Sequence, residues 1–180
     1  QGDAFGDLGT LLILIVILVY IVMATQFESL KFPFIIMFTI PFAFTGVFLA
    51  LWMTSTPLSL IALIGAIMLV GIVTKNGIVM VDYMNLLIER GSGVFDAVIA
   101  GGKSRLRPVL ITSFTTILGM LPLAIGTGAG SETWQPMGIA VIGGLTFSTI
   151  LTLFIVPVLY SILVNRSQRK EREKLARLSA

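Results

Sequence analysis

The sequence contains no cysteine and no histidine. The first absence removes disulfides, thiolate metal sites and thiol nucleophiles. The second removes imidazole bases, Ser-His-Asp triads and His-ligated metals. Proton chemistry here must use carboxylates, lysine, arginine, hydroxyls or water. Charge is also scarce, at 12% of 180 residues, whereas 56% are hydrophobic. With a mean hydropathy of +1.01, the chain lies outside the soluble range. Its apolar residues cluster into long runs rather than at core-helix spacing, which defines an integral membrane protein. The chain starts at Gln1 and its first apolar run lacks a basic leader. No signal peptide is read there, and a segment of a longer protein is expected.

Five apolar runs can be drawn, over residues 8–27, 32–53, 58–83, 108–126 and 137–164. About 20 residues cross a bilayer as a helix. Lipid offers the backbone no hydrogen-bond partner, and the runs are too continuous for the alternation of a barrel strand. The expected fold is all-α, a polytopic bundle of five transmembrane helices. Between the third and fourth runs, Val94, Phe95, Val98, Ile99 and Leu106 form an apolar stripe, with Asp96, Lys103 and Arg105 on other faces. This predicts a short amphipathic helix over about residues 92–106, lying on the cytoplasmic surface. The tail over residues 165–180 is charged and reads as a frayed helix or disordered segment.

The net charge of +3 does not point to nucleic acid, because its distribution follows the spans. Lys31 lies in one connection, Arg90, Lys103, Arg105 and Arg107 in another, and Arg166, Arg169, Lys170, Arg172, Lys174 and Arg177 in the tail. All of these fall on one side of a five-span chain, and the opposite connections have no Lys or Arg. The positive-inside rule makes that side cytoplasmic, with the N-terminus outside and the C-terminus inside. The basic tail then reads as a topology signal or a contact with anionic lipid.

Trp52, Trp134 and Tyr160 near span ends read as interfacial anchors. Glu132 reads as a solvated loop charge beside Gly126-Thr127-Gly128-Ala129-Gly130-Ser131. Gly65, Gly71, Gly77, Gly138, Ala140, Gly143 and Gly144 read as small surfaces for close helix packing, with a moving hinge as the alternative. Ala97-Val98-Ile99-Ala100-Gly101-Gly102-Lys103-Ser104 fits a relaxed phosphate-loop pattern. It lacks the preceding strand such a loop requires.

Lys75 is the one basic residue inside a span. An ammonium there costs about 2.5–3.5 kcal/mol on insertion scales and is a functional-site hypothesis by default. The alternative is snorkelling, but Tyr83 at the span end is eight residues on, roughly 12 Å at about 1.5 Å per residue. A lysine stem covers about half of that. Asp82 lies two turns on and nearly on the same face, extending a polar stripe of Lys75, Asn76 and Asp82. Arg105 and Thr112 repeat the seven-residue spacing in the next span, where Ser113, Thr115 and Thr116 add hydroxyls. Arg105 also reads as a plain positive-inside marker. Two neighbouring spans with a cation and polar groups at similar depth suit a proton or ion relay. Such a relay needs a carboxylate partner, and only Asp82 lies at a comparable depth. The acceptor is therefore expected from outside this sequence. A membrane anchor or assembly module, in which Lys75 pairs with a lipid or a partner helix, is the alternative reading. An enzyme is not expected, since no nucleophile–base set emerges beyond a Lys–Ser dyad.

Several ordered stretches resemble one family. They are Gly71-Ile72-Val73-Thr74-Lys75-Asn76-Gly77-Ile78-Val79-Met80-Val81-Asp82-Tyr83, Arg105-Leu106-Arg107-Pro108-Val109-Leu110-Ile111-Thr112-Ser113, Gly119-Met120-Leu121-Pro122-Leu123-Ala124 and Gly143-Gly144. The chain resembles the C-terminal membrane portion of a resistance-nodulation-division efflux transporter of the hydrophobe/amphiphile, or multidrug, branch. That resemblance implies a proton-driven antiporter of the bacterial inner membrane, working as a homotrimer and powered by the proton motive force without a cofactor. Residues 1–7 would end a preceding periplasmic portion. Lys75, Arg105 and Thr112 would be relay residues, with Asn76 and Asp82 in support. The partners implied are an N-terminal half carrying an Asp-Asp pair, membrane lipids and a periplasmic adaptor. The heavy-metal branch of the same superfamily is the alternative to exclude, and the spans show no Met pairs arranged as an obvious metal ladder.

Overall fold

The computed structural model describes residues 2–178 except 127 and 129, with side chains described over residues 4–166 of that range. Among the described residues there is no strand. The helices are α1 (Gly2–Phe27), α2 (Lys31–Met37), α3 (Thr39–Met53), α4 (Leu60–Glu89), α5 (Val94–Ile125) and α6 (Ser131–Leu178). Five stretches are long and apolar enough to cross a membrane: Ala4–Phe27, Lys31–Met53, Leu60–Glu89, Val94–Ile125 and Ser131–Arg166. The bundle expected from hydropathy is therefore present, with short connections between successive helices. The ends that carry the Lys and Arg residues are called the basic end below.

The second span is one run by hydropathy and one crossing in space, with its helix interrupted only at Phe38, between α2 and α3, where the backbone stays helical at φ −63° and ψ −18°. Pro41 has no N–H for the Met37 carbonyl, and its ring crowds that carbonyl. Phe38 N–H still donates to Phe34 O at 3.1 Å, and the Thr39 hydroxyl donates to Ile36 O at 2.6 Å. These bonds occupy carbonyls at the break.

The amphipathic segment is helical but is not a separate helix. It runs without interruption into the fourth span as the single 32-residue α5. Pro108 lies inside α5, and membrane helices tolerate such a residue when neighbouring helices support them. Support comes from the segment's own stripe, since Val94, Ala97 and Gly101 are buried and Gly101 backs onto Met84 of α4. The tail is helical too, because α6 continues to Leu178. Residues from Gly2 are already part of α1.

Local signals account for the boundaries. Ser59 precedes α4 in extended conformation, and its side chain accepts a hydrogen bond from Ala62 N–H at 3.2 Å. Gly126 ends α5 in the left-handed region, at φ 72°, where a side chain would be strained. The free carbonyls there are capped by side chains. Ser131 Oγ donates to Gly126 O at 2.7 Å, and Gln135 Nε2 donates to Ala124 O at 3.0 Å. Glu132 sits in the first turn of α6 rather than in the loop, where its carboxylate favours the positive helix end.

Packing centres on α4 and α6. Over its apolar window α4 is 56% buried, whereas α1 and α5 are 6% and 11% buried, which makes those two peripheral. One core cluster joins Ala43, Val47 and Leu51 of α3 to Ala66, Leu69 and Val73 of α4 and to Ala140 and Leu145 of α6. A second, nearer the basic end, joins Met23, Ile36, Met80, Met84, Val156 and Tyr160. In lipid no hydrophobic force drives helices together, so close approach through small residues matters more. Gly143 faces Ala50 and the Gly46 carbonyl, and Gly144 faces Leu69, Val47 and the Ala43 carbonyl. Gly65 backs onto Met137, Gly77 onto Ile36, and Gly138 onto Ala124. Gly71 differs, because a side chain there would meet nothing within 4 Å.

Candidate functional site

The exposed residues of α4 form a single seam. Ile64, Met68, Gly71, Lys75, Asp82, Leu86 and Glu89 are all exposed, at spacings of three, four and seven. Residues so spaced share one helix face. The structure places Lys75 on this open face and Asn76 on the packed side, where it is 8% exposed. The stripe expected from the sequence is thus divided. Lys75 and Asp82 look outward together, and Asn76 turns into the bundle. Lys75 makes no hydrogen bond or ion pair within the described residues.

On α5, Thr112 is exposed and its hydroxyl donates to Pro108 O at 2.9 Å. Thr115 and Thr116 bond backward in the same way, to Ile111 O at 2.8 Å and Thr112 O at 2.9 Å. These hydroxyls remain available as acceptors. The neighbouring Ser113 is buried and pairs with Thr149 of α6, oxygen to oxygen at 2.8 Å. That hydroxyl pair joins α5 to α6 one residue from Thr112.

Arg105 is brought onto α4. Its guanidinium carbon lies 4.7 Å from the centroid of the Tyr83 ring, a cation–π geometry worth about 0.5–2 kcal/mol, rising with desolvation; both side chains are half-buried. Its Nε is buried and has no hydrogen-bond partner among the described residues. Lys75, Arg105 and Thr112 make no direct bond to one another among the described residues. The α4–α5 packing brings Arg105 to Tyr83, and Lys75 lies eight residues earlier on α4, roughly 12 Å along the axis.

Asp82 also lines a polar cleft of about 290 Å³ with Gln26, Glu28, Asn85, Leu86 and Glu89. Its place in an i, i+3, i+7 series with Asn85 and Glu89 was available in the sequence as a helix-face pattern. Beside the cleft, the Tyr160 hydroxyl donates to Asn85 Oδ1. Tyr160 is therefore no interfacial anchor. It is fully buried and stacks on Phe32 at 5.6 Å, because at this level α6 runs through the core. Trp52 and Trp134 are exposed. Among the described residues no three His, Cys, Asp or Glu side chains are placed to hold a metal ion. The phosphate-loop-like stretch lies within α5, where its N–H groups serve the helix.

Five apolar helices with a lysine-bearing open seam define a segment of a multi-pass membrane protein. The sequence profile of the AcrB/AcrD/AcrF family matches residues 2–164. The chain belongs to that family, and with it to the resistance-nodulation-division efflux transporters. It is 43% identical over 155 residues to the multidrug resistance protein MdtC of Erwinia tasmaniensis, covering 86% of this chain and 15% of that protein. It is 40% identical over 155 residues to the cobalt-zinc-cadmium resistance protein CzcA of Cupriavidus metallidurans, again covering 86% and 15%. The crystal structure of a heavy metal efflux pump superposes with a TM-score of 0.83 at 31% identity, over 92% of this chain and 17% of that one. The chain thus spans about 15% of the length of these relatives.

Proposed function

We propose that this chain is the C-terminal membrane part of a proton-driven exporter, a transporter rather than an enzyme, in which Lys75, Arg105 and Thr112 belong to the proton relay. The observation that carries this reading is Lys75 itself, a cation midway along an apolar helix, on an open face and without a partner among the described residues. Lipid is a poor neighbour for that charge, so a protein element with a carboxylate suits the seam. An Asp-Asp pair in an N-terminal half of the same transporter would supply it. Protonation of those carboxylates would weaken their hold on Lys75 and let the helices repack, biasing the distant substrate-handling domains. Asp82, exposed and lining the polar cleft, would connect the seam to water, and Asn76 would act only through packing.

The chain would lie in the bacterial inner membrane with its N-terminus periplasmic and its basic end cytoplasmic. The full transporter would be a homotrimer that works with a periplasmic adaptor and draws on the proton motive force. In the full-length protein, Lys75→Ala should abolish export, a loss of at least about a hundredfold, with membrane insertion and abundance unchanged. Wild-type export by that variant would exclude a relay role.

The cargo we favour is hydrophobic or amphiphilic, as the name of the 43%-identical relative suggests. Metal-ion export is the second reading, favoured by the names of the cobalt-zinc-cadmium relative and the structural neighbour. Efflux of ethidium against efflux of zinc ion, from cells deprived of other exporters, separates them. An anchor or assembly role predicts instead that Lys75→Met alters assembly and leaves proton flux untouched.

A further inference from the structure

The relay residues named above do not include Tyr83, which has the most specific contact with any of them. We propose that Tyr83 is the positioning residue for Arg105, its ring serving as the platform that holds the guanidinium at the α4–α5 crossing. Two observations converge there. The guanidinium carbon stands 4.7 Å from the ring centroid, and Arg105 Nε is buried with no acceptor. Arg105 as a whole is half-buried, and a buried guanidinium N–H such as its Nε calls for an acceptor. Here the described partner is a π face, which attracts the cation without consuming an N–H. Arg105 is thereby fixed in place with a donor unspent.

The local packing makes the platform. Gly101, one turn before Arg105, lies so close to Met84 that an added methyl would come 2.6 Å from its Cγ. Met84 adjoins Tyr83 in sequence, so the absence of a side chain at Gly101 lets α5 settle where Arg105 covers the ring. Among the described side chains, the other charged groups at this end of α4, α5 and α6 are Asp82, Glu89, Arg90, Asp96, Lys103, Arg107 and Arg166, and all are exposed. None makes a hydrogen bond or ion pair to Arg105. The ring is then what determines where Arg105 sits.

This inference rests on the relay reading, and the test distinguishes the two. Full-length protein in proteoliposomes is energised by an imposed proton gradient, and efflux of ethidium or zinc ion, whichever the wild type exports, is followed across pH. Tyr83→Leu should lower the rate roughly tenfold and move the pH midpoint, with protein abundance unchanged. Tyr83→Phe, which keeps the ring, should stay within about twofold of wild type with an unmoved midpoint. Wild-type rate and midpoint in Tyr83→Leu would overturn the positioning role, as would equal impairment in Tyr83→Phe, which would implicate the hydroxyl instead. If Arg105→Ala transports like wild type, Arg105 is outside the relay and the underlying reading fails, whatever Tyr83 does.

Discussion

Removing the Tyr160 hydroxyl leaves Asn85 Oδ1 without its donor beside a polar cleft. Water can replace part of that bond, so Tyr160→Phe should cost only about 0.5–1.5 kcal/mol. In thermal unfolding of the purified full-length protein this would read as a drop of about a degree or less, because the shift per kcal/mol shrinks as the chain lengthens, and a raised midpoint would show that the pair adds no stability. The same residue shows where one-dimensional reading fails. A tyrosine near the end of an apolar run suits either a headgroup anchor or a buried phenol, and only the position of α6 decides between them. Lys75 was legible because an ammonium in an apolar run is anomalous in any fold. The Tyr83–Arg105 contact was not, since it depends on how two helices rotate about their axes.

Helix existence followed from hydropathy, while helix continuity did not. The break at Phe38 follows from Pro41 through its missing N–H, yet Pro108 leaves α5 intact. The difference lies in what packs alongside, which the sequence shows only after assembly. The glycines divide in the same way. Gly144→Leu should prevent α3, α4 and α6 from closing, because Leu69, Val47 and the Ala43 carbonyl already occupy the space. Overpacking of this kind costs about 1–3 kcal/mol or more, and loss of folded protein on detergent extraction would register it. Gly71→Leu is the converse case. The position is open and lies one turn before Lys75, so the bundle should accept the leucine with unchanged yield. If a partner helix covers the seam, as proposed, export should nevertheless fall steeply. Normal export would mean that nothing approaches closely there.

Across the whole chain, the lack of cysteine becomes an experimental convenience, because introduced pairs report without background from this sequence. Ser113→Cys with Thr149→Cys should form a disulfide on mild oxidation, since the native hydroxyl oxygens lie 2.8 Å apart. Failure to cross-link would contradict the α5–α6 packing described above. Glu132→Cys should react with an impermeant maleimide in intact spheroplasts, and Lys103→Cys only after lysis. The reverse pattern would invert the proposed orientation.

That buried Ser113–Thr149 pair also has a mechanical consequence. It holds the middle of α5 to α6, while Gln135 Nε2 on Ala124 O and Gly138 against Ala124 hold the far end of α5 to the same helix. A rod fastened to one neighbour at two places eleven residues apart, roughly 17 Å, cannot pivot on it. The two helices would therefore move as one body, and a shift at the end that rests on Tyr83 would be carried across the membrane by the pair.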